Sequence, residues 1–229
     1  MNIGGLQKFS LIDYPGKICA IIFTQGCNFR CGYCHNPELV DPEQFTPALD
    51  ERKIIDFLKE RQGKLDAVSI TGGEPLLQKG LPKFISELKN LGFLVKLDTN
   101  GTKPDILKKL INQQSLDYVA MDIKASLERY EEVVNRKVNL KDIEESIKLI
   151  MDSGLEYEFR TTIVKSQLSF SEIKKMAQLI SGAELYILQK FVATKANDPK
   201  FLKAETYTDA EFEELKKDVL KYVKNCEVR

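Results

Sequence analysis

Three cysteines, Cys27, Cys31 and Cys34, lie within eight residues of the chain and are spaced C-x3-C-x2-C. Three thiolates at this spacing can hold an iron–sulfur cluster. A four-iron cluster with only three protein ligands keeps one iron free to bind another group. The spacing therefore predicts a cluster with one open coordination site.

Two other interpretations of these cysteines stay open at this point. A structural zinc site would need a fourth Cys or His, and His35, the only histidine of the chain, follows Cys34 too closely to complete a tetrahedron comfortably. The thiols could also be incidental and buried. The two remaining cysteines, Cys19 and Cys226, lie far from the motif in sequence and are expected to be inert thiols.

Polar residues follow three later apolar runs of the chain, at the points where those runs end. They are Gly72-Gly73-Glu74-Pro75 after residues 67–70, Asp98-Thr99-Asn100-Gly101 after residues 93–97, and Asp122 and Lys124 at the end of residues 118–123. Because the carboxyl ends of parallel strands meet on one face of an α/β fold, these residues are expected to converge with the cysteines.

Each polar motif has a plain and a functional interpretation. The two glycines before Glu74 could form an ordinary turn, or they could let the backbone approach a ligand whose ammonium group the carboxylate accepts. Asp98 and Asp122 could be caps or solvated charges, or they could form a site for a hard cation or polar ligand. Arg160 lies in an apolar strand and is either one partner of an ion pair or a ligand for a carboxylate.

The elements that carry these residues alternate between strand and helix patterns. Six successive strand–helix units predict an α/β fold with a parallel sheet, either open and doubly wound or part of a barrel, and too few for a complete eight-unit barrel. The predicted strands cover residues 18–24, 67–70, 93–97, 118–123, 156–164 and 184–189, and the predicted helices cover residues 49–62, 81–91, 104–111, 140–151, 169–180 and 208–224.

The whole chain, residues 1–229, is interpreted as a single domain. Residues 1–17 form an extension with a short strand or hairpin that ends at the turn Asp13-Tyr14-Pro15-Gly16. Residues 18–191 form the core, and residues 192–229 form a loop and a terminal helix. The polar, lysine-containing residues 193–207 are expected to be a lid or a disordered connection.

Composition excludes several classes of partner. The 34 basic and 34 acidic residues balance, so no overall field favours a nucleic acid or an anionic membrane. No apolar run approaches the roughly 18 residues of a membrane span, and the first residues lack the apolar core of a signal peptide. We therefore expect a cytoplasmic protein.

The arrangement Cys27-x3-Cys31-x-Tyr33-Cys34 resembles the signature of the radical S-adenosylmethionine (SAM) enzymes. The resemblance implies that the three cysteines hold a 4Fe–4S cluster and that its fourth iron chelates SAM. It also implies reductive cleavage of SAM to methionine and a 5′-deoxyadenosyl radical, within an open partial TIM-type (β/α)6 barrel.

The same resemblance implies roles for residues outside the cysteine motif. Gly72, Gly73 and Glu74 would bind the SAM amino group, and the backbone around Tyr33 would face the adenine. The residues matching a monovalent cation site in the glycyl-radical activating enzymes are Asp98, Thr99 and Asp122. The implied SAM contacts are completed by Asp98 and Asp122 themselves, with Asn100, Lys124 and Arg160.

Two flanking segments, Asp13-Tyr14-Pro15-Gly16-Lys17 and Tyr33-Cys34-His35-Asn36-Pro37-Glu38-Leu39, resemble anaerobic ribonucleoside-triphosphate reductase activating proteins. Activators of the pyruvate formate-lyase type usually have Gly where Tyr14 stands and His where Val192 stands. The expected substrate is a glycyl-radical enzyme, with a one-electron donor such as flavodoxin or ferredoxin. The alternatives are a pyruvate formate-lyase type activator, a radical SAM enzyme acting on a small molecule, and a zinc-binding module without enzymatic activity.

Overall fold

A single eight-stranded sheet, in which the strands follow one another in sequence order, is the framework of the computed structural model, which describes residues 1–229. The strands are β1 (Ile3–Ser10), β2 (Cys19–Thr24), β3 (Ala67–Gly72), β4 (Leu94–Thr99), β5 (Tyr118–Asp122), β6 (Glu156–Ile163), β7 (Tyr186–Lys190) and β8 (Cys226–Val228). β1 is antiparallel to β2, and every later neighbour pair is parallel. The edge strands β1 and β8 do not pair, so the sheet stays open, as expected for a partial barrel.

Helices connect the parallel strands. They are α1 (Pro37–Val40), α2 (Glu51–Lys59), α3 (Leu81–Asn90), α4 (Pro104–Asn112), α5 (Tyr130–Val134), α6 (Leu140–Met151), α7 (Phe170–Leu179) and α8 (Asp209–Val219). The starts of α2, α7 and α8 are set by the side chains of Asp50, Ser169 and Thr208, each of which accepts a hydrogen bond from a backbone amide of the first turn. The longest helix, α6, has 12 residues and is too short to cross a membrane.

The two faces of the sheet are packed differently. The main cluster of 53 buried residues includes Val95 and Leu97 of β4, on the outer face toward the helices, and extends to Phe29, Cys31 and Tyr33 of the cysteine loop. On the inner face, a small apolar cluster around Tyr14 and Tyr118 lies near the amino ends of the strands, with their rings 5.6 Å apart. Because side chains alternate along a strand, Lys96 of β4 projects to this inner face, over the Tyr118 ring. Between this apolar cluster and the carboxyl ends of the strands, the side chains inside the barrel are therefore largely polar.

The carboxyl-terminal region departs from its predicted description. The short strand β8 was not predicted there, and the short helices α1 and α5, earlier in the chain, were not predicted either. Residues 193–207 contain a 3-10 helix, Pro199–Lys203, whose Phe201 is buried, and the hydroxyl of Thr206 donates to the carbonyl of Ile163 at 2.9 Å. The segment is thus a packed connection between β7 and α8, rather than a disordered one.

Candidate active site

Every residue predicted to belong to the site lines one cavity at the carboxyl ends of β2 to β6. The predicted residues in its wall are Cys27, Cys31, Tyr33, Cys34, Gly72, Gly73, Glu74, Asp98, Thr99, Asn100, Asp122, Lys124 and Arg160. Residues as far apart in sequence as Cys27 and Arg160 meet because parallel strands carry their ends to the same edge of the sheet.

The three cysteines lie in a loop that surrounds part of this cavity. Two N–H groups point at the sulfur of Cys27: the backbone amide of Phe29, at 3.4 Å, and the side-chain amide of Asn100, at 4.0 Å. Burial raises the pKa of Cys27 to about 12 and that of Cys31 to about 11, and it also raises the pKa of Cys34. Thiols in this setting become thiolates when a bound metal supplies positive charge, which fits the ligands of an iron–sulfur cluster.

The spacing of the side chains bears on the zinc interpretation. No three Cys, His, Asp or Glu side chains lie close enough together to hold one metal ion. A structural zinc ion draws its sulfur ligands to within about 2.3 Å of a single centre. The thiolates of a cluster bind different irons and stand further apart. The zinc interpretation therefore gains no support from the positions of these side chains.

Two side chains that sequence reasoning did not assign to the site fasten the cysteine loop to the barrel. The side chain of Arg30 donates to the carbonyl of Cys27 at 2.7 Å, which braces the loop internally, and the backbone amide of Arg30 donates to the carbonyl of Val134 at 2.8 Å, at the end of α5. The ring of His35 stacks on Phe191, with centroids 5.1 Å apart, and its Nε2 lies 3.0 Å from the carbonyl oxygen of Val192. His35 is therefore engaged with the end of β7 rather than with the thiols.

The paired glycines bring the end of β3 against the start of the cysteine loop. A Cβ on Gly73 would lie 2.1 Å from the carbonyl oxygen of Gly26, and one on Gly72, whose φ is +107°, would lie 2.5 Å from the amide of Thr24. Backbone hydrogen bonds of 2.8 Å join Gly73 to Thr24 and Glu74 to Gly26. Glycine is thus needed at both positions because the backbone of residues 24–26 passes too close for a Cβ.

Glu74 is 1 % exposed, and its carboxylate is held by three donors. One oxygen accepts from the amide of Leu76 at 3.0 Å and from the hydroxyl of Thr99 at 2.8 Å, and the other accepts from the amide of Asn100 at 2.6 Å. Burial raises the pKa of Glu74 to about 7 against the effect of these donors. A carboxylate has about four lone-pair positions, so one position is left for a donor in the cavity.

Asn28 and Thr102, which were not predicted, join the cysteine loop to the loop after β4. Asn100 donates to the Asn28 side-chain oxygen at 2.9 Å, Asn28 donates to the Thr102 hydroxyl at 2.8 Å, and that hydroxyl donates to the Asn100 oxygen at 2.7 Å. The position of Asn28 between two predicted ligands was the only hint in the sequence. This closed triangle fixes the amide of Asn100 toward Cys27.

A row of alternating charges crosses the cavity from β4 to the end of β5. Asp98 accepts from Lys96 and, at 3.0 Å, from Arg160; Asp122 accepts from Arg160 at 3.0 Å and from Lys124 at 3.1 Å. Burial raises the pKa of both carboxyls, but Arg160 with a second cation outweighs it, so the Asp98 pKa is lowered and the Asp122 pKa is about 2. Arg160 is thus the ion-pair partner of two carboxylates.

The charge row continues below the cavity at Glu158, a buried residue of β6. Glu158 lies 3.9 Å from Arg160, and its other oxygen accepts at 3.2 Å from Tyr118 and from Arg229. Sequence reasoning missed both Glu158 and Lys96. Both are charged residues inside otherwise apolar strands, which is the same pattern that identifies Arg160 as a candidate.

Tyr33 has a buried hydroxyl with no hydrogen-bond partner in the protein. Its ring meets that of Phe201 edge-on, with centroids 6.2 Å apart. Since an unpaired buried hydroxyl is costly, this group is suited to bond with a bound cofactor.

Comparison with known proteins is consistent with this geometry. The family model described as the radical SAM superfamily matches residues 21–180. A protein of Methanocaldococcus jannaschii named a glycyl-radical enzyme activating enzyme is 36 % identical over 233 residues, which cover 99 % of this chain and 95 % of that protein. The pyruvate formate-lyase-activating enzyme of Clostridium pasteurianum is 27 % identical over 189 residues, covering 79 % and 76 % of the two chains.

The fold also matches solved structures. The crystal structure of Streptococcus suis SuiB bound to S-adenosylmethionine superimposes with a TM-score of 0.70 at 16 % sequence identity. The match covers 91 % of this chain and 49 % of SuiB, so the chain spans about half the length of that protein.

Proposed function

The chain belongs to the radical SAM superfamily, and from this premise we propose that it removes a hydrogen atom from the Cα of a glycine in a partner protein. The observation that carries the proposal is the convergence of the cysteine loop, Glu74 and the charge row on one cavity. The similarity to a protein named a glycyl-radical enzyme activating enzyme, over nearly the full length of both chains, supports the choice of a glycine as the target.

The residues of the cavity divide into those that would hold the cluster and those that would hold SAM. Cys27, Cys31 and Cys34 would bind a 4Fe–4S cluster. When bound, the reduced cluster and SAM would supply one-electron cleavage of SAM to methionine and a 5′-deoxyadenosyl radical, and transfer of the glycine hydrogen to that radical would give 5′-deoxyadenosine and a glycyl radical. Glu74 would accept a hydrogen bond from the SAM ammonium through its remaining lone pair.

The charge row gives the SAM carboxylate a place to bind. Lys96, Arg160, Lys124 and Arg229 carry four positive charges, and Asp98, Asp122 and Glu158 carry three negative charges, so the row has one positive charge in excess. Lys124 has donors left after its single bond to Asp122, and it lines the cavity. We therefore assign Lys124, with Arg160 behind it, to the carboxylate of SAM.

Anaerobic ribonucleoside-triphosphate reductase is the proposed partner, on the strength of the flanking motifs at residues 13–17 and 33–39. The unpaired edges of the sheet leave a side at which a loop of another protein could enter. A reduced flavodoxin or ferredoxin is the proposed electron donor. A pyruvate formate-lyase type partner is the alternative that the 27 % identity with such an activator favours.

Anaerobic reconstitution with iron and sulfide tests the enzymatic proposal. The wild type should bind about four irons, give a reduced-cluster signal in electron paramagnetic resonance, and form 5′-deoxyadenosine from SAM under a chemical reductant. Cys31→Ala should lose all three properties. Cys226→Ala removes a buried thiol outside the cavity and should keep them. Equal 5′-deoxyadenosine from wild type and Cys31→Ala would refute the proposal, and binding of one zinc ion without iron would favour the zinc module.

The partner is identified in a second experiment. The reconstituted enzyme, SAM and a reductant are incubated with anaerobic ribonucleoside-triphosphate reductase or with pyruvate formate-lyase. A doublet from a glycyl radical in the first mixture alone supports the proposed partner, and a doublet in the second alone supports the alternative. SAM cleavage without a doublet in either mixture would point to another partner or to a small-molecule substrate.

A further inference from the structure

In the carboxylates expected to bind a monovalent cation, each oxygen already has a cationic side chain as a partner. Both oxygens of Asp98 have a cationic partner, Lys96 and Arg160, and both oxygens of Asp122 have one as well, Arg160 and Lys124. The hydroxyl of Thr99 donates to Glu74 and accepts from the amide of Gly101 at 3.1 Å. A metal cation at these residues would have to share the carboxylate oxygens with positive charges that the chain itself provides.

Lys96 is the unusual member of this arrangement. Its side chain is 3 % exposed, and its ammonium lies 5.9 Å from the centroid of the Tyr118 ring, on the inner face of the barrel. It sits two residues before Asp98 on the same strand, so both side chains point inward. Lys96 does not line the cavity, and it can influence a bound ligand only through Asp98. It is therefore a positioning residue.

The local balance of charge argues against an additional cation. With Lys96 present, every oxygen of Asp98 and Asp122 already faces a basic side chain, so a further positive ion would be repelled at short range by Lys96, Arg160 and Lys124. Without Lys96, one oxygen of Asp98 would be buried without a partner, which is costly enough to favour uptake of an ion. A buried lysine thus substitutes for a metal ion.

We infer that Lys96 is the built-in counter-cation of Asp98 and that SAM binding by this protein needs no monovalent metal ion. The inference rests on the proposed function, because it concerns the same SAM site. It also predicts that loss of the Lys96 ammonium creates a requirement for a small cation.

The test is calorimetric titration of SAM into the anaerobically reconstituted full chain, in KCl, NaCl or tetramethylammonium chloride at equal ionic strength. The wild-type Kd should change less than twofold among the three salts. Lys96→Met keeps most of the side-chain length without the charge, and its Kd should be at least tenfold weaker than the wild type in tetramethylammonium chloride. KCl or NaCl should restore the affinity of this variant at least fivefold.

Two further variants separate this role from a merely structural one. Lys96→Arg keeps the charge and should stay indifferent to the salt. Lys89→Met breaks a Lys–Asp pair of 2.6 Å with Asp117 outside the cavity and should also stay indifferent. If Lys96→Met does not fold, Lys96→Gln replaces it.

The outcomes are distinguishable. A wild type whose SAM affinity rises tenfold with KCl, or a neutral Lys96 variant that does not respond to the small cations, would overturn the inference while leaving the proposed function intact. A wild type that binds no SAM in any salt would instead refute the proposed function, and the inference with it.

Discussion

Replacing Arg160 with methionine should be among the most destabilising single changes in the barrel interior. Arg160 is bonded at 3.0 Å to both Asp98 and Asp122 and lies 3.9 Å from Glu158. The methionine would fill much of the same volume, but each carboxylate would lose a buried partner. Removing one member of a buried ion pair costs about 3 to 5 kcal/mol, and we expect a loss of that size in the free energy of unfolding at pH 7.

The loss in the free energy of unfolding caused by Arg160→Met should become smaller as the pH falls. The pKa of Asp122 is lowered from 3.8 to about 2 because Arg160 and Lys124 outweigh the effect of burial. A carboxyl group whose pKa is lowered on folding stabilises the protein at pH values above its unfolded-state pKa. For Asp122 this stabilisation is roughly 2 kcal/mol, and it is lost as the pH falls from about 4 to about 2. Without Arg160 most of this stabilisation is absent at every pH. The difference in the free energy of unfolding between wild type and Arg160→Met should therefore become smaller as the pH falls from about 4 to about 2.

Urea denaturation followed by circular dichroism, with wild type and variants in the same cluster-loading state, measures both effects. Lys59→Met is the control, because Lys59 forms a 3.0 Å pair with Asp56 in which both side chains are more than half exposed. Such pairs contribute about 0 to 1 kcal/mol. An Arg160→Met cost as small as that of Lys59→Met, or one that does not narrow at acid pH, would refute the reasoning.

Three other changes test the packing around the site. Gly73→Ala should prevent full cluster loading, seen as a reduced iron-to-protein ratio, because its Cβ would meet the carbonyl of Gly26 at 2.1 Å; normal loading would contradict this. Phe201→Ala should lower the free energy of unfolding by about 3 kcal/mol in urea denaturation, because Phe201 is buried. The control Leu202→Ala, at a half-exposed neighbour, should change it by under about 0.5 kcal/mol. Equal effects of the two variants would contradict the packing of Phe201 against the fold. Thr208→Ala should cost about 1 kcal/mol in the same assay, because it removes the capping box of α8; an unchanged value would mean that the cap contributes no stability.

Features that depend on neighbouring residues in the chain were predictable from the sequence. The helix predicted at residues 140–151 has those bounds in the structure, and the six predicted strands, β2 to β7, lie within about two residues of their predicted positions. Local hydrophobic periodicity, caps and turns determine such elements. The order of the motifs along the chain was equally informative, because each follows a strand and all parallel strands end on one face.

Features that depend on contacts between distant strands were not predictable. The three-residue strand β8 is too short to show a pattern of its own and exists because it pairs with β7. Glu158 and Arg229, 71 residues apart, are joined only where β6 and the residue after β8 meet beneath the cavity. Nothing in the sequence around either residue identifies the other as its partner.

The sequence by itself therefore determined the type of chemistry, because three cysteines at a fixed local spacing and the polar residues after successive strands can be recognised without a fold. Only the tertiary structure decided how the charges are paired. Lys96 and Asp98 are two residues apart on β4, yet whether Arg160 reaches both Asp98 and Asp122 depends on the register and curvature of β4, β5 and β6. Register and curvature are set by packing over the whole sheet, and this is why the neutralised carboxylates at the cavity were visible only in the folded chain.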